Sequence, residues 1–511
     1  MKKIFSNPGS VEKDAKQRLS FPDFLMMEHA AQGMADYIVK NYPSVQKILV
    51  LTGKGNNGAD GFALVRLLLE KQKSDFYIFT FDSPVTSEGK VQFDICRKLS
   101  ESYPIDFIDE QKLFNLLKIK TKDELLIVDC IFGTGFKGEL SDGVKKILCQ
   151  VNKTECHKLS CDVPSGLHAD GTLCREAFCA DVTLTMGCDK LCFYSDCAKS
   201  CTGKIITLNL GIPDSAFFGN NEEIACKIEK NDIKLPYRKK SDVHKGKFGH
   251  TAVFSGDKGG ACILSAEAAF YSGSGLTSII ESAESELSKF KISPHLMLSK
   301  ILPKKTTCIV SGPGLVSYKS DVDKIIQQYF NNEDKRHAAV FDAGCFDRKE
   351  LIEKIEQYSN REGNEIVLTP HLYELSRFCK LVKEIHPDAG YTEDDINVEK
   401  LSNSCETKIK VGKALNKIFP NAALVMKSAY TFIAYREKIY IVTDGAQNLA
   451  KGGSGDVLAG ITGSLLAQGY DALEASVTAC EAHALASLKY GPQEFDFSPE
   501  KLIQIIKEEF K

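Results

Sequence analysis

Short apolar runs in this chain end, one after another, in loops built from glycine, asparagine and aspartate, and this alternation narrows the fold more than any other feature. In the first half the runs are Lys47–Gly53 (KILVLTG), Phe76–Phe81 (FYIFTF), Leu125–Gly133 (LLIVDCIFG) and Leu159–Pro164 (LSCDVP), with Ile205–Pro213 closing the series. Helical patterns such as Phe62–Gln72 and Gly143–Val151 fall between them. Continuous apolar strands separated by helices predict a parallel sheet covered on both faces. After a polar stretch at Asp214–Lys247 the alternation restarts at Thr251–Gly256, Leu276–Ile280, Thr307–Gly312, Ala338–Ala343, Glu365–Pro370 and Ala423–Lys427. Thr431–Tyr435 and Lys438–Thr443 read as a hairpin around Arg436-Glu437, and helices are expected at Asp456–Gln468, Leu473–Tyr490 and Pro499–Phe510.

A chain of 511 residues with this pattern calls for two domains rather than one core. The net charge of -3 gives no footprint for nucleic acid or for an anionic membrane. MKKIFSNPGSVEKDAK lacks the apolar core of a secretory signal, and no apolar run is long enough to span a bilayer, so a cytoplasmic location is expected. The eighteen cysteines are scattered, unlike a disulfide framework. Cys188, Cys192, Cys197 and Cys201 lie close together but form no CxxC knuckle and have no histidine nearby, so reduced thiols are expected there rather than zinc.

The first βα turn reads Gly53-Lys54-Gly55-Asn56-Asn57-Gly58-Ala59-Asp60-Gly61. Glycines let a ligand approach the backbone, and amides at the following helix N-terminus favour an anion. The turn is neither a Walker A loop nor a GxGxxG fingerprint, and alone it reads equally as a tight structural turn. Two more strand ends carry the same chemistry, Val128–Gly135 with Asp129, and Asp162–Leu167. Ligands of open α/β sheets bind beyond the carboxyl ends of the strands, so three such loops converge on one crevice. Their oxygens also suit a hard cation.

Near the C-terminus, Gly452-Gly453-Ser454-Gly455-Asp456 feeds an apolar helix. Its amides suit phosphate oxygens, while Asp456 reads either as a helix cap, contributing about 0.5–2 kcal/mol, or as a base that takes a proton from a hydroxyl.

In order and spacing, GKGNNGADG, VDCIFGTGFKGEL and DVPSGL resemble the loops of NAD(P)H-hydrate epimerase domains, over about residues 1–215 and including Leu25–Ala31 (LMMEHAA). The family loop usually reads GGDG, and Ala59 replaces one of its glycines. The second half, about 235–511, resembles the NAD(P)H-hydrate dehydratase branch of the ribokinase-like superfamily. The matching segments are His244-Lys245-Gly246, Gly259–Ala269, Gly273–Leu276, Gly312–Leu315, Thr369–His371 with Glu374, Lys427–Thr431 and the Asp456 loop. Phe341–Asp347 (FDAGCFD) matches only in part.

The resemblance implies an α/β protein of two three-layer α/β/α domains, a Rossmann-like epimerase domain at 1–215 and a ribokinase-like domain at 235–511, joined by a linker at 216–234. It implies that Asn56, Asn57, Gly58, Ala59, Asp60, Gly133, Thr134, Gly135, Phe136, Lys137, Gly138, Glu139 and Asp162 hold NADH-hydrate or NADPH-hydrate. Asn57, Asp129 and Ser165 are expected to bind potassium, with Asp129 also catalytic. In the second domain Ala261, Gly314, His371 and Asp456 are expected to line the hydrate site, with Asp456 the catalytic base. Lys427, Ser428, Ala429, Tyr430, Thr431 and Gly455 are expected to contact the adenine nucleotide, ADP in preference to ATP, with magnesium. A homo-oligomer without nucleic-acid or membrane partners completes the expectation. Two other readings stay open on the residues: a small-molecule kinase using the same glycine loop, and an N-terminal module that only recruits partners.

Overall fold

The computed structural model describes residues 1–119, 121–238, 240–282, 285–316, 320–331 and 336–509. Two compact units emerge, Lys3–Ile224 with Asn403–Cys405, and Met1–Lys2 with Ala225–Ser402 and Glu406–Lys511.

In the first unit seven strands form one parallel sheet: β1 (Lys47–Thr52), β2 (Asp75–Thr80), β3 (Ile105–Phe107), β4 (Leu125–Cys130), β5 (His157–Cys161), β6 (Val182–Met186) and β7 (Lys204–Leu208). Their order is β3-β2-β1-β4-β5-β6-β7. It reverses between β1 and β4, and a crevice opens at such a point. Alternate residues serve opposite faces. Ile48, Val50 and Val128 pack with Met34, Phe62 and Val65, whereas Leu49, Leu51 and Ile127 pack with Leu113, Val144 and Leu148. Helices therefore cover both faces. β3 and β6 have no counterpart among the expected strands. In β6, Thr183 and Thr185 are fully buried, so the threonines break an apolar run that the fold nevertheless treats as core.

In the second unit the order is β10-β9-β8-β11-β12-β13-β14-β15-β16, comprising β8 (His250–Phe254), β9 (Leu276–Ile280), β10 (Met297–Ser299), β11 (Cys308–Ser311), β12 (Ala338–Phe341), β13 (Glu365–Leu368), β14 (Ala422–Met426), β15 (Thr431–Tyr435) and β16 (Lys438–Val442). A short strand, Ala225–Lys227, pairs in parallel with β16. β8 to β14 are parallel, and β15 and β16 turn antiparallel. The hairpin is tight because Arg436 and Glu437 both take positive φ, 49° and 60°, as a two-residue primed turn requires. Val253, Val310, Val340 and Val367 form one buried face with Val457, Ile461 and Leu465. The polar stretch after Pro213 carries a short helix, Asp214–Phe218, before the strand at Ala225.

The helices that matter for function are α1 (Asn56–Leu68), α2 (Gly259–Tyr271), α3 (Leu372–Ile385), α4 (Ser454–Ala467) and α5 (Ala472–Tyr490). A further helix runs over Pro499–Glu509, and the expected end at Phe510 lies outside the described residues. No helix among the described residues is long and apolar enough to cross a membrane.

Candidate active sites

At the carboxyl ends of β1, β4 and β5 a cavity of about 980 Å³ opens in the first unit. Asn56, Asn57, Asp60, Gly133, Thr134, Gly135, Phe136, Lys137, Glu139 and Asp162 line it. Gly53 begins the turn because nothing larger fits: a Cβ there lies 2.0 Å from the Ile131 carbonyl. α1 then starts after Gly55 without a side-chain cap, and Gly55, Asn56 and Asn57 line the cavity. Gly58 and Ala59 sit beneath the wall, buried in the first turn of α1. Ala59 is helical rather than left-handed, so its methyl meets no backbone strain. Gly138 takes φ 80° and does not reach the lining.

Behind the wall is a small cage of oxygens. Ser165 donates from Oγ to Asp129 Oδ1 at 2.7 Å and from its amide to Oδ2 at 2.8 Å, and the Ile131 amide adds a third bond. The Phe132 amide donates to Ser165 Oγ, and Asn57 Nδ2 donates to the Phe132 carbonyl at 2.9 Å. Asn57 Oδ1 is buried without a hydrogen-bond partner. Burial pushes the Asp129 carboxyl up to about 6 against those hydrogen bonds. Asp129 is fully buried and outside the cavity lining. An orphaned amide oxygen, joined through the Phe132 backbone to a buried hydroxyl and carboxylate, suits a hard cation.

Asp60 and Asp162 face the cavity as a contrasted pair. Burial, together with the charges of Asp162 and Glu12, holds the Asp60 carboxyl well above the usual range. Asp162 stands at φ 67°, a left-handed conformation, and receives the Lys190 ammonium on Oδ1 at 2.7 Å. The Thr134 amide approaches Oδ2 at 3.4 Å. Lys190 is only 3% exposed and also donates to Thr185 Oγ1 and the Met186 carbonyl. It lies in a two-residue strand, Asp189–Lys190, registered against Ile4–Phe5. Sequence reading missed Lys190. A lysine after a strand is ordinary, and its partner lies 28 residues away.

The second site is assembled at the carboxyl ends of β11, β12, β13 and β14. Gly312 is required by contact, since a Cβ there lies 1.8 Å from the Asp342 carbonyl. Gly314 accepts the Lys258 amide on its carbonyl, and Ala261, in the first turn of α2, packs against it. Asp342 directly follows β12, is 3% exposed, and receives Lys427 Nζ and Thr369 Oγ1, each at 2.8 Å on Oδ1. His371 caps α3 reciprocally with Glu374: the Glu374 amide donates to Nδ1 and the His371 amide to Oε2. Its Nε2 lies 3.1 Å from Glu374 Oε1.

α4 begins at Gly453, φ 93°, with no side-chain cap. A Cβ on Gly455 lies 3.3 Å from Lys427 Nζ, so the ammonium sits at the helix N-terminus. Lys427 thus turns inward onto Asp342, while Ser428 and Tyr430 hold the turn through a 2.7 Å bond from Ser428 Oγ to the Tyr430 carbonyl. Burial pushes Asp456 up to about 7, with Asp342 and Glu374 adding to it and Lys427 opposing. Asp342, outside the expected site, is the residue that orients Lys427. The partly matching FDAGCFD run was the available signal.

Two family models match the chain, the YjeF-related protein N-terminus over residues 24–192 and NAD(P)H-hydrate dehydratase over 252–508. A bifunctional NAD(P)H-hydrate repair enzyme from Helicobacter pylori is 30% identical over 508 residues, covering 99% of this chain and 100% of that one. The chain belongs to the bifunctional NAD(P)H-hydrate repair enzymes. A second member, from Dictyoglomus turgidum, is 27% identical and covers 94% of this chain and 91% of its own. Among solved structures, the ADP/ATP-dependent NAD(P)H-hydrate dehydratase from Bacillus subtilis, co-crystallised with ATP and magnesium, is 21% identical. It covers 54% of this chain and 95% of that one, with a TM-score of 0.44. As a bifunctional repair enzyme the chain carries its NAD(P)H-hydrate epimerase in the N-terminal half and its dehydratase in the C-terminal half.

Proposed function

We propose that the dehydratase half takes the S epimer of the hydrate and uses ADP, in preference to ATP, to phosphorylate its hydroxyl before elimination. Water is a poor leaving group and phosphate a good one, so the phosphorylated hydrate collapses to the dihydronicotinamide. The observation that carries this reading is Asp456, a half-buried carboxylate pushed up to about 7 at an uncapped helix N-terminus beside Lys427. A base poised near neutrality takes the hydroxyl proton efficiently, and the α4 amides with Lys427 offset the charge of the transferred phosphoryl group. Magnesium supplies charge neutralisation on the nucleotide when bound. Ala261, Gly314 and His371 line the hydrate side, and Lys427 to Thr431 with Gly455 the nucleotide side.

In the N-terminal half the cavity holds either epimer, with Asp60 and Asp162 at the reacting ring. Potassium fits the Asn57, Asp129 and Ser165 oxygens, where it supplies a fixed charge that orders the loops. We assign the epimerase to residues 1–215 and the dehydratase to 235–511, joined through 216–234, in a homo-oligomer working in the cytoplasm without nucleic-acid or membrane partners. Recovery of reduced-nicotinamide absorbance from mixed NADH-hydrate epimers, with magnesium and ADP or ATP, tests the reading. Complete recovery with ADP is expected. Recovery with neither nucleotide, or accumulation of a stable phosphorylated product, overturns it in favour of a small-molecule kinase.

A further inference from the structure

α5 is lined with small buried residues, Ala475, Ser476, Ala479, Ala482, Ala484 and Ala486, and among them stands one imidazole. His483 is 8% exposed, and its Nε2 lies 3.1 Å from Ser454 Oγ and 3.1 Å from the Ser454 carbonyl. A carbonyl oxygen only accepts, so Nε2 must carry the proton. Burial pushes the imidazole down to about 4, and the neighbouring Lys427 charge adds to this against the pull of the Ser454 carbonyl. The ring is therefore neutral, with its hydrogen on Nε2, throughout the range in which a cytoplasmic enzyme works.

Ser454 is the first residue of α4 and is flanked by two glycines, Gly453 and Gly455. Such a turn has little intrinsic stiffness, yet it carries the amides and the carboxylate to which phosphoryl transfer has been assigned. α5 holds the incoming loop as well, where the Ala446 amide donates to Ser487 Oγ at 3.0 Å and Asn448 Nδ2 donates to the Ser487 carbonyl at 2.9 Å. His483 is the contact that extends this support to the catalytic turn itself. Among the described residues Ser454 Oγ has no hydrogen-bond partner other than His483. With Nε2–H donating to it, the serine hydroxyl keeps its own hydrogen for a phosphate oxygen.

We propose that His483 is the positioning residue of the dehydratase, fixing Ser454 through Nε2–H so that the α4 turn presents its amides and Asp456 in register with the phosphoryl group. The proposal rests on the assignment of that turn to phosphoryl transfer. In the full-length protein, His483→Leu removes the donor, whereas His483→Gln keeps an N–H at similar reach. The expected result is a loss of about 100-fold in dehydration kcat for His483→Leu, the scale of an ångström-sized misplacement, with a smaller change in KM for ADP. Epimerisation stays at the wild-type rate, and His483→Gln recovers most of the loss. Wild-type kcat in His483→Leu, or equal impairment of both variants, overturns the proposal.

Nitrogen NMR of histidine-labelled wild-type protein supplies a readout independent of how the variants fold. An Nε2–H resonance unchanged from pH 8 to about 5 is expected. A ring protonated on Nδ1, or one that titrates at the ordinary histidine value, also overturns it. Full dehydration in Asp456→Asn is a different failure, because it removes the phosphoryl-transfer assignment while leaving the NMR result standing.

Discussion

Lys190 Nζ sits 2.7 Å from Asp162 Oδ1, and this contact holds an aspartate in a left-handed conformation at the wall of the epimerase cavity. Both the strained backbone and the buried ammonium are costly alone, so each depends on the other. Lys190→Met is expected to slow epimerisation by about 100-fold, the scale of an ångström-sized misplacement of a substrate-holding group, and to lower the melting temperature. Dehydration of the pure S epimer should be unaffected. Chromatographic separation of epimers, starting from the R form, reads the first effect. An unchanged epimerisation rate would show that Asp162 needs no anchor.

Asp456→Asn should remove dehydration by at least about 100-fold, the usual contribution of a general base, and leave epimerisation intact. Asp129→Asn should do the reverse, because its amide cannot accept both Ser165 bonds. Assaying both activities on each variant checks this. One substitution that silenced both in a folded protein would contradict two separate sites.

Exchanging potassium for tetramethylammonium should depress epimerisation and spare dehydration. Asn57 Oδ1 is the reason, since a buried acceptor left unpartnered costs stability until a cation or a proton donor satisfies it. Activity titrated against potassium at constant ionic strength gives the answer, and a flat response would remove the cation from the cage.

The pH dependence of dehydration has a definite sign. Asp456 must be deprotonated to act, and it titrates at about 7. Dehydration kcat/KM should therefore climb between pH 6 and 8 and level off above. A plateau already reached at pH 5 would assign the base elsewhere.

Glu481 on α5 is fully buried beside Asp444, and burial, with the charge and hydrogen bonding of Asp444, pushes it up to about 8. Between its unfolded value near 4.5 and about 8, the folded chain holds a proton that the unfolded chain releases. Stability contributed by this group is thus full at low pH and lost as pH rises through that window. Glu481→Gln should flatten the fall in melting temperature between pH 5 and 8, measured by calorimetry. An unchanged slope would show that Glu481 is not its source.

Much of this architecture was legible because buried parallel strands leave long apolar runs. β1, β4, β8, β11 and β12 all begin or end within a residue or two of those runs. β6 escaped because its threonines satisfy their hydroxyls internally, with Thr183 Oγ1 donating to the Thr202 carbonyl at 2.6 Å. The loops were legible too, since glycine and asparagine mark where a backbone must admit a ligand. Lys190, Asp342 and His483 were not. Each acts on a residue far away in the chain: the fold of the strands and their loops brings lysine to Asp162 and Lys427 to Asp342, and the packing of α5 on α4 brings the imidazole to Ser454. Side chains that hold other side chains leave no local pattern.

α1 and α4 both begin on glycine with no side-chain oxygen to complete them. Most helices of a stable protein close their own ends with a side-chain oxygen, and a glycine in that place forgoes roughly a few tenths of a kcal/mol. On the assignment proposed above, the last piece of each helix is left for the ligand to bring. Occupancy and folding are thereby linked, so a cell rich in damaged cofactor holds its repair enzyme in a sturdier state than a cell with none.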